Sequence, residues 1–404
     1  MYDAIVVGAR CAGSPTAMLL ARRGYRVLLL DKATFPSDTL STHALKLPAA
    51  ASLKRWGLLD QVIASNCTPI SSWAIDFGGL VLAGVAPPAE GVTSAYAPRR
   101  RILDAILADA AVQAGAELRQ DFNVDHVLVS DDRVSGIRGH TSSGVPIVEE
   151  ARVVIGADGM RSLLARTVEA PTYNDRPSLT CAYFSYFSGL ALRGVEFYPR
   201  PGATIITFPT NDGLAVVLVE WPNHEFPRVR ADLEGNFLRA LNLAPGLAER
   251  VRAGRREERF YGTADLPNFF RKPYGPGWAL VGDAGLHRDP ITAQGIVDAF
   301  RDAELLADAL EASFSGRQPE MTALAEYEQR RNADAGPIYD FTCGLAGLEP
   351  PAPEMQALVS AIHGNQAETN RFLGLVEGTT SIPEYFASEN IGRIMAANQA
   401  AVAR

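Results

Sequence analysis

The order of apolar and polar positions at the start of the chain predicts a strand, a helix and a second strand. Ala4–Val7 is a short apolar run that leads into a turn of small residues ending at Gly13. Residues 14–23 then have an apolar face with helical spacing, and Gly24 follows as a helix stop. Residues 25–30 form another apolar run. Together these patterns predict a βαβ unit.

Later parts of the chain change between helical and extended patterns. We expect residues 44–66 to be helical, residues 71–96 to be extended and interrupted by Gly and Pro, and residues 102–114 to form an amphipathic helix. Alternation and β-branched residues predict strands at 121–130, 133–140 and 151–155. Three further strand-like runs, separated by Gly-containing turns, predict an antiparallel meander at 195–198, 203–208 and 214–220.

Composition and charge narrow the class of protein. The 404 residues are 47% hydrophobic and 21% charged, which is typical of a globular chain large enough for two domains. A net charge of −8 argues against nucleic-acid binding. The four cysteines are far apart and form no C-x-x-C pair, so we expect neither disulfides nor a metal site. Without a signal peptide or a run of about 18 apolar residues, we expect a cytoplasmic chain with no membrane span.

The first turn has the spacing of a dinucleotide-binding site. Gly8 permits a tight turn after the strand, and Gly13 lets the helix approach the strand. The N-terminus of that helix offers N–H groups to a pyrophosphate. Arg10 replaces the middle glycine, so its side chain must either point away from the phosphate or contact it. Asp31 ends the second strand, where a carboxylate can bind a ribose hydroxyl. The alternative is a turn that only needs small residues, with Asp31 in solvent.

Two later motifs extend this site. Residues 153–162 are a buried strand that ends in Asp158-Gly159. Residues 279–296 contain another strand, then Gly282-Asp283, Pro290 and Gly295. Two turns of this kind, one opening the chain and one two-thirds along it, indicate a large cofactor held at several points, and they favour a flavin over a plain nicotinamide site.

Taken together, the three motifs resemble those of the FAD-dependent aromatic hydroxylases, the para-hydroxybenzoate hydroxylase-like group, over about residues 1–330. The third motif departs from the pattern at Leu286 and at Ala293, where glycine is frequent. The loop at 38–43 and the third motif are also similar to the geranylgeranyl reductase-like branch. The resemblance implies FAD as cofactor, with Arg100 near the pyrophosphate and Val124 at the adenine. The expected cofactor-binding residues are Gly8, Ala12, Gly13, Asp31, Lys32, Arg100, Val124, Asp158, Asp283, Pro290, Gly295 and Ile296.

The expected fold class is α/β. A Rossmann-like FAD-binding domain (1–70, 97–170 and 270–334) is interleaved with an antiparallel-sheet substrate domain (71–96 and 171–269). A helical C-terminal segment follows at 335–404. The interleaving follows from the position of the meander between the nucleotide-binding parts.

The resemblance implies a monooxygenase that oxygenates a hydrophobic, aromatic or polyketide-like molecule through a flavin C4a-hydroperoxide, with NADPH or NADH as a transient co-substrate and O₂ as the oxidant. Three alternatives stay open: a flavin-dependent reductase that saturates C=C bonds, a flavin halogenase, and a non-enzymatic FAD-bearing redox-gated interaction protein. The protein is expected to be a monomer or a homodimer.

Aromatic residues of the meander and of the 71–96 segment are candidates for the substrate pocket. Because side chains alternate across a strand, Phe184 and Tyr186 share one face of the sheet. The candidates are Trp73, Phe184, Tyr186, Phe208 and Trp221. Each of them could instead be a core aromatic. His43, in a polar loop, could carry a proton near neutral pH, or could simply bond to backbone at a helix start.

Overall fold

The computed structural model describes residues 1–402, with side chains through residue 399. In chain order, the elements are β1 (Tyr2–Val7), α1 (Gly13–Arg22), β2 (Val27–Leu30), α2 (Leu47–Trp56), α3 (Leu59–Ala64), β3 (Trp73–Asp76), β4 (Val81–Gly84), α4 (Arg100–Gln113), β5 (Glu117–Arg119), β6 (Phe122–Ser130), β7 (Arg133–Thr141), β8 (Pro146–Gly156), α5 (Leu163–Thr167), β9 (Thr172–Arg176), β10 (Thr180–Ser188), β11 (Val195–Arg200), β12 (Ala203–Pro209), β13 (Ala215–Pro222), α6 (Phe226–Ala231), α7 (Leu233–Leu241), α8 (Pro245–Ala253), β14 (Arg255–Arg256), β15 (Tyr261–Thr263), β16 (Asn268–Arg271), β17 (Tyr274–Gly275), β18 (Trp278–Leu280), β19 (Leu286–His287), α9 (Gly295–Phe314), α10 (Glu320–Ala346), α11 (Pro353–Ile362), α12 (Gln366–Glu377), α13 (Ile382–Tyr385) and α14 (Ser388–Val402).

The first sheet has a parallel centre in the order β18-β8-β1-β2-β5. Ala4 of β1 lies opposite Val27 on one side and Val153 on the other. These central strands are apolar because helices cover the sheet: α1 packs against α4 and α9. The predicted βαβ unit at the start of the chain is therefore present, and the α/β fold class is confirmed.

The second sheet has the order β14-β10-β13-β12-β11-β3-β4, with β15 also paired to β10. Its two faces pack against different partners. Phe184 and Leu218 point into the large hydrophobic core that also contains β1 and α9. Val217 and Val219 point the other way, into a separate cluster with α7 and α8. One face of the meander thus looks toward the first sheet, as alternation along a strand requires.

One helix boundary differs from the sequence expectation. The helix predicted over 44–66 is two helices, because Gly57 adopts a left-handed conformation (φ 78°) that ends α2. Helix α10 runs unbroken from Glu320 to Ala346, across residues 334 and 335 where the C-terminal segment was expected to begin. The division into domains stays a prediction. Within residues 1–402, none of the helices is long and apolar enough to cross a membrane.

Candidate functional site

A cavity of about 670 Å³ lies at the carboxyl ends of β1, β2 and β8, between the two large sheets. It brings all three sequence motifs together. The predicted cofactor residues in its wall are Gly8, Ala12, Asp31, Lys32, Arg100, Val124, Asp158, Asp283, Pro290, Gly295 and Ile296. Gly13 is not part of the wall, and its role is one of packing.

The first turn needs glycine at both ends for steric reasons. Gly8 has φ +104°, and a Cβ there would lie 2.4 Å from the carbonyl oxygen of Ala157. A Cβ on Gly13 would lie 1.7 Å from the carbonyl oxygen of Gly8. Both distances are far below van der Waals contact, so the close approach of α1 to β1 and β8 depends on these two residues.

Asp31 is fixed by the turn that it faces. Its Oδ2 accepts a hydrogen bond from the N–H of Ala9 (2.7 Å), and its Oδ1 accepts one from the N–H of Ala33 (2.8 Å). The carboxylate therefore already ties β2 to the glycine turn, and its remaining lone pairs are those available to a ligand.

Arg10 and Arg100 share a carboxylate that the sequence analysis did not single out. Asp104, which is fully buried on α4, accepts from Arg10 Nη1 (2.6 Å) and from Arg100 Nε (3.0 Å). Arg10 also donates to the hydroxyl of Ser37 (3.1 Å). This pairing holds the Arg10 side chain at the cavity edge and Arg100 in the cavity wall. The signal for it in the sequence was the i, i+4 spacing of Arg100 and Asp104 on a helix.

Asp158 presents an unused acceptor in the cavity wall. Its Oδ2 accepts from the N–H of Leu163 (2.7 Å), whereas its Oδ1 is buried without a partner among the described residues. Burial raises the pKa of this carboxyl. A buried acceptor without a donor costs free energy, so the site fits a ligand that brings hydroxyl or amine donors. Asp283, on the turn Gly282–Ala284, is exposed to the same cavity.

The third motif ends at the N-terminus of a long helix, which lies at the cavity. Asp289 caps the turn Pro290–Thr292 by accepting from the N–H of Ile291 (3.0 Å). Ala293 then adopts a left-handed conformation (φ 50°), which explains why glycine is frequent at this position in the similar family. Helix α9 begins at Gly295 and runs for 20 residues, so its N-terminal end contributes positive partial charge to the cavity.

His43 is buried in the cavity wall and has both ring nitrogens engaged. Nδ1 lies 2.9 Å from the carbonyl oxygen of Ala97 and must donate to it, so Nε2 accepts from the hydroxyl of Tyr186, also at 2.9 Å. Burial and, to a smaller extent, the nearby Arg99 guanidinium lower the pKa of His43 to about 3. Arg99 lies 3.9 Å from the centre of the Tyr186 ring. The imidazole is therefore neutral near pH 7, which argues against its acting there as an acid.

A second, smaller pocket of about 40 Å³ adjoins the cavity. The two share the wall residues Thr42, Ala44, Leu218, Pro290 and Ala293. The smaller pocket is mostly apolar, and it closes against the C-terminal end of α12. It contains two of the predicted aromatic residues, Trp73 and Phe208, while Phe184 lines the larger cavity.

The other two aromatic candidates lie elsewhere. Tyr186 lines neither pocket and reaches the cavity only through His43. Trp221 was placed wrongly: it points to the opposite face of the second sheet, into the cluster with Val219 and α7. Its position in β13 has the parity of Val219 rather than that of Leu218, so strand alternation turns it away from the cavity.

Two charged residues of the smaller pocket were missed by the sequence analysis. Lys46 precedes α2, and Glu377 ends α12. Glu377 accepts from the N–H of Leu47 (2.7 Å) and from Trp73 Nε1 (2.9 Å). A lysine inside the apolar run at 44–47 was the available signal, but no pattern could pair it with a residue more than 300 positions away.

Comparisons with known proteins agree with this geometry. The family described as FAD binding domain matches residues 1–226. Digeranylgeranylglycerophospholipid reductase of Methanosarcina acetivorans is 27% identical over 355 residues, which are 85% of this chain and 83% of that protein.

Two solved structures share the fold. A myxobacterial chondrochloren halogenase superposes with a TM-score of 0.79 at 21% identity, covering 98% of this chain and 96% of the other. A probable FAD-dependent monooxygenase from Pseudomonas aeruginosa superposes with a TM-score of 0.70 at 21% identity, covering 93% and 99%. At such identities the likeness concerns the fold alone.

The fold and the cavity define a flavin-dependent oxidoreductase. Because the match covers more than half of the chain, the chain belongs to the FAD binding domain family, in the para-hydroxybenzoate hydroxylase-like group of flavoproteins.

Proposed function

We propose that this protein is an FAD-dependent monooxygenase that oxygenates a hydrophobic, aromatic or polyketide-like small molecule with NADPH or NADH and O₂. Bound FAD would supply the chemistry by taking electrons from the nicotinamide and reacting with oxygen. The protein's own tasks are to hold the cofactor, to place the substrate and to exclude water.

One observation carries this proposal: a small apolar pocket is joined to the large cavity at Pro290 and Ala293. The third motif is where the resemblance places the flavin ring, so a substrate in this pocket would lie beside the ring. Phe208, Phe197 and Ile206 make the pocket wall apolar, and such a wall excludes water from the reacting atoms.

The cofactor residues would act through hydrogen bonds and charge. Asp31 would bind the ribose next to the adenine, Asp158 and Asp283 would accept hydroxyl donors along the cavity, and Arg100 would face the pyrophosphate. The neutral His43, which accepts from Tyr186, would order the loop at 41–44 and the water near it. A cavity with an adjoining pocket also supports an enzyme over a redox-gated interaction protein whose flavin is sealed by side chains.

The test is a stopped-flow experiment. The purified holoprotein is reduced without oxygen, mixed with O₂, and followed by absorbance with and without candidate aromatic substrates. We expect a transient band in the region of flavin–oxygen adducts and an oxygenated product. Direct reoxidation without that band under every condition would exclude the proposal.

A reductase that saturates C=C bonds is the second candidate, because the similar protein from Methanosarcina acetivorans is named a digeranylgeranylglycerophospholipid reductase. Anaerobic oxidation of the reduced protein by a prenyl lipid would favour the reductase. A halogenase would instead form a halogenated product that requires both O₂ and halide.

The cofactor assignment has its own test. Asp283→Ala removes an exposed carboxylate from the cavity wall without breaking a hydrogen bond or an ion pair among the described residues. We expect FAD to bind about tenfold more weakly, since hydrogen bonds to charged groups contribute about 1.5–3 kcal/mol. Flavin fluorescence during titration of apoprotein measures this. Asp308→Ala, on the exposed part of α9, is the matched control; equal affinity of both variants would contradict the role of Asp283.

A further inference from the structure

We propose that Tyr186 and Tyr261 form a route for single electrons between the FAD cavity and the protein surface, so that light-excited FAD oxidises a surface tyrosine. The route needs only bound FAD, and it does not depend on which reaction the bound flavin performs. It gives a one-electron activity to two phenols that the proposed oxygenation does not use.

Three aromatic side chains connect the cavity wall to the surface. Phe184 lines the cavity, Tyr186 is buried behind it, and Tyr261 on β15 is half-buried. The ring centres of Tyr186 and Tyr261 lie 6.3 Å apart. The Phe184 ring lies 5.8 Å from the Tyr186 ring and 5.7 Å from the Tyr261 ring. Rings at these distances are in contact, so an electron crosses one short gap between the two phenols.

The Tyr186 end of this route lies near the expected position of the flavin ring. The hydroxyl of Tyr186 donates to His43, which is in the cavity wall. Thr42 and Ala44, on either side of His43 in the chain, line both the cavity and the smaller pocket, as Pro290 does. Because the resemblance places the flavin ring at the third motif, the His43–Tyr186 pair adjoins the ring end of the cavity.

Each phenol donates its hydrogen bond to a group that can take the proton. The Tyr186 hydroxyl lies 2.9 Å from Nε2 of the neutral His43, and the Tyr261 hydroxyl lies 2.8 Å from the Glu258 carboxylate. Both distances are within the range of roughly 2.6–3.2 Å over which a base removes a proton. Arg99 lies 3.9 Å from the centre of the Tyr186 ring, and its charge disfavours a ring that loses an electron but keeps its proton. Electron and proton therefore leave Tyr186 together.

The transfer balances in two steps. In the first, Tyr186 gives one electron to excited FAD, its O–H bond breaks, and the proton forms an N–H bond at Nε2 of His43. In the second, Tyr261 gives one electron to Tyr186 and its proton to Glu258. Burial and the Arg99 charge hold the pKa of His43 low, so the imidazole returns its proton to Tyr186 in the same step. The net result is one electron gained by FAD and one lost by Tyr261.

Other oxidisable rings near the cavity lack such a continuation. Trp73 and Tyr96 line the smaller pocket and are only 8% and 7% exposed. The Trp73 ring lies beside the Lys46 ammonium. Among the described residues, no hydrogen bond joins the Tyr96 hydroxyl to a base. An electron taken from either ring therefore returns to it from FAD and leaves no lasting radical at the surface.

The experiment traps the tyrosyl radical. Oxidised holoprotein is illuminated with blue light, without oxygen, in the presence of the spin trap tert-nitrosobutane, and the adducts are mapped by mass spectrometry of peptides. We expect an adduct at Tyr261 that is absent in the dark and in apoprotein. Tyr2 is the internal control for oxidants that diffuse through solution. It is also half-buried and donates to a carboxylate, that of Glu117 (2.7 Å), but it lies at the start of β1, whereas the cavity lies at the carboxyl end.

Two variants interrupt the route. Tyr186→Phe should lower the adduct yield at Tyr261 about tenfold, because the first phenol is missing. His43→Gln keeps a hydrogen-bond acceptor but removes the base, and it should lower the yield by about the same factor. Tyr198→Phe is the matched control: Tyr198 donates to Glu196 (2.5 Å) but faces the cluster with α7 and α8, so the yield should not change. Flavin content and the thermal midpoint show that each variant is folded and loaded.

Three results would overturn the inference: no adduct at Tyr261, an equal yield at Tyr2, or a yield at Tyr261 that survives in Tyr186→Phe. An unchanged yield in His43→Gln would contradict the proton transfer to His43 on which the first step depends. The stopped-flow test of the proposed function is run in the dark and is independent of all these results.

Discussion

The cofactor cavity and the substrate pocket share a wall but are built in different ways. In the cavity, several of the fixing contacts are short-range: Asp31 bonds to Ala33, Asp158 to Leu163, and Asp289 to Ile291. In the pocket, Glu377 bonds to Leu47 and Trp73 across separations of 330 and 304 residues. Short sequence motifs therefore contribute much of the cofactor cavity. The substrate pocket, in contrast, forms only when the C-terminal helices pack against the rest of the chain.

The sharpest test of the cofactor end is Gly13→Ala. The added Cβ would meet the carbonyl of Gly8 at 1.7 Å, so α1 must move away from β1. We expect a loss of about 3 kcal/mol or more in the free energy of unfolding and a protein purified with little flavin. Urea unfolding and the flavin-to-protein absorbance ratio measure both effects. Gly246→Ala, whose Cβ meets nothing within 4 Å, should behave like the parent protein. A fully loaded Gly13→Ala variant would refute the packing role.

His43 lies in the cavity wall, next to the shared residues Thr42 and Ala44. Its buried, neutral state can be tested through the pH dependence of protein stability. Because its pKa falls from 6.5 in the unfolded chain to about 3 in the folded protein, the unfolded state binds the extra proton first as the pH falls. Stability linked to His43 is thus complete above pH 6.5 and is lost toward pH 3. Between pH 8 and pH 5 we expect a loss of about 2 kcal/mol that is absent in His43→Gln.

Urea unfolding at both pH values gives this difference directly. His126→Gln, at an exposed position of β6, should retain the parent's pH dependence. If His43→Gln loses stability with acid as steeply as the parent does, the imidazole is not buried in its neutral form.

Two tryptophans on opposite faces of the second sheet separate pocket effects from packing effects. Trp73→Phe leaves one oxygen of Glu377 without its donor and should cost about 1–2 kcal/mol while altering ligand affinity in the pocket. Trp221→Phe should cost about 1 kcal/mol through lost packing and leave ligand affinity unchanged. Urea unfolding measures the stability of both variants, and titration with benzoate as a small aromatic ligand measures their affinity. An altered affinity in Trp221→Phe would contradict the placement of Trp221 on the face away from the pocket.

The smallest effect concerns the shared wall. Ala293 is left-handed, so Ala293→Gly should relieve backbone strain and stabilise the protein by up to about 1 kcal/mol. Ala312→Gly, within the regular part of α9, should destabilise it by a similar amount. Thermal unfolding of the two variants should therefore move in opposite directions. If Ala293→Gly is instead destabilised, the packing of the alanine methyl group contributes more than the backbone strain costs.

The sequence predicted the fold class and the glycine turns because periodicity and glycine spacing are local properties, whereas Arg100 and Val124 were expected in the cavity from the family resemblance alone. It did not place Asp104, whose partners come from two different elements, or Lys46 and Glu377, which meet only in the folded chain. The prediction that Trp221 lines the substrate pocket was wrong for a related reason. Alternation says which residues share a face, but the identity of the covering element decides which face meets the cavity.

Helix α12 reaches the pocket through its last turn: Glu377 lines the pocket, and the Val376 carbonyl accepts a hydrogen bond from Lys46. The residues that would hold the flavin all precede it in the chain. Substitutions in the last turn of α12 can therefore alter which substrates bind without altering the residues that would hold FAD. Libraries for altered specificity should therefore begin at residues 373–380, which contain none of the expected cofactor-binding residues.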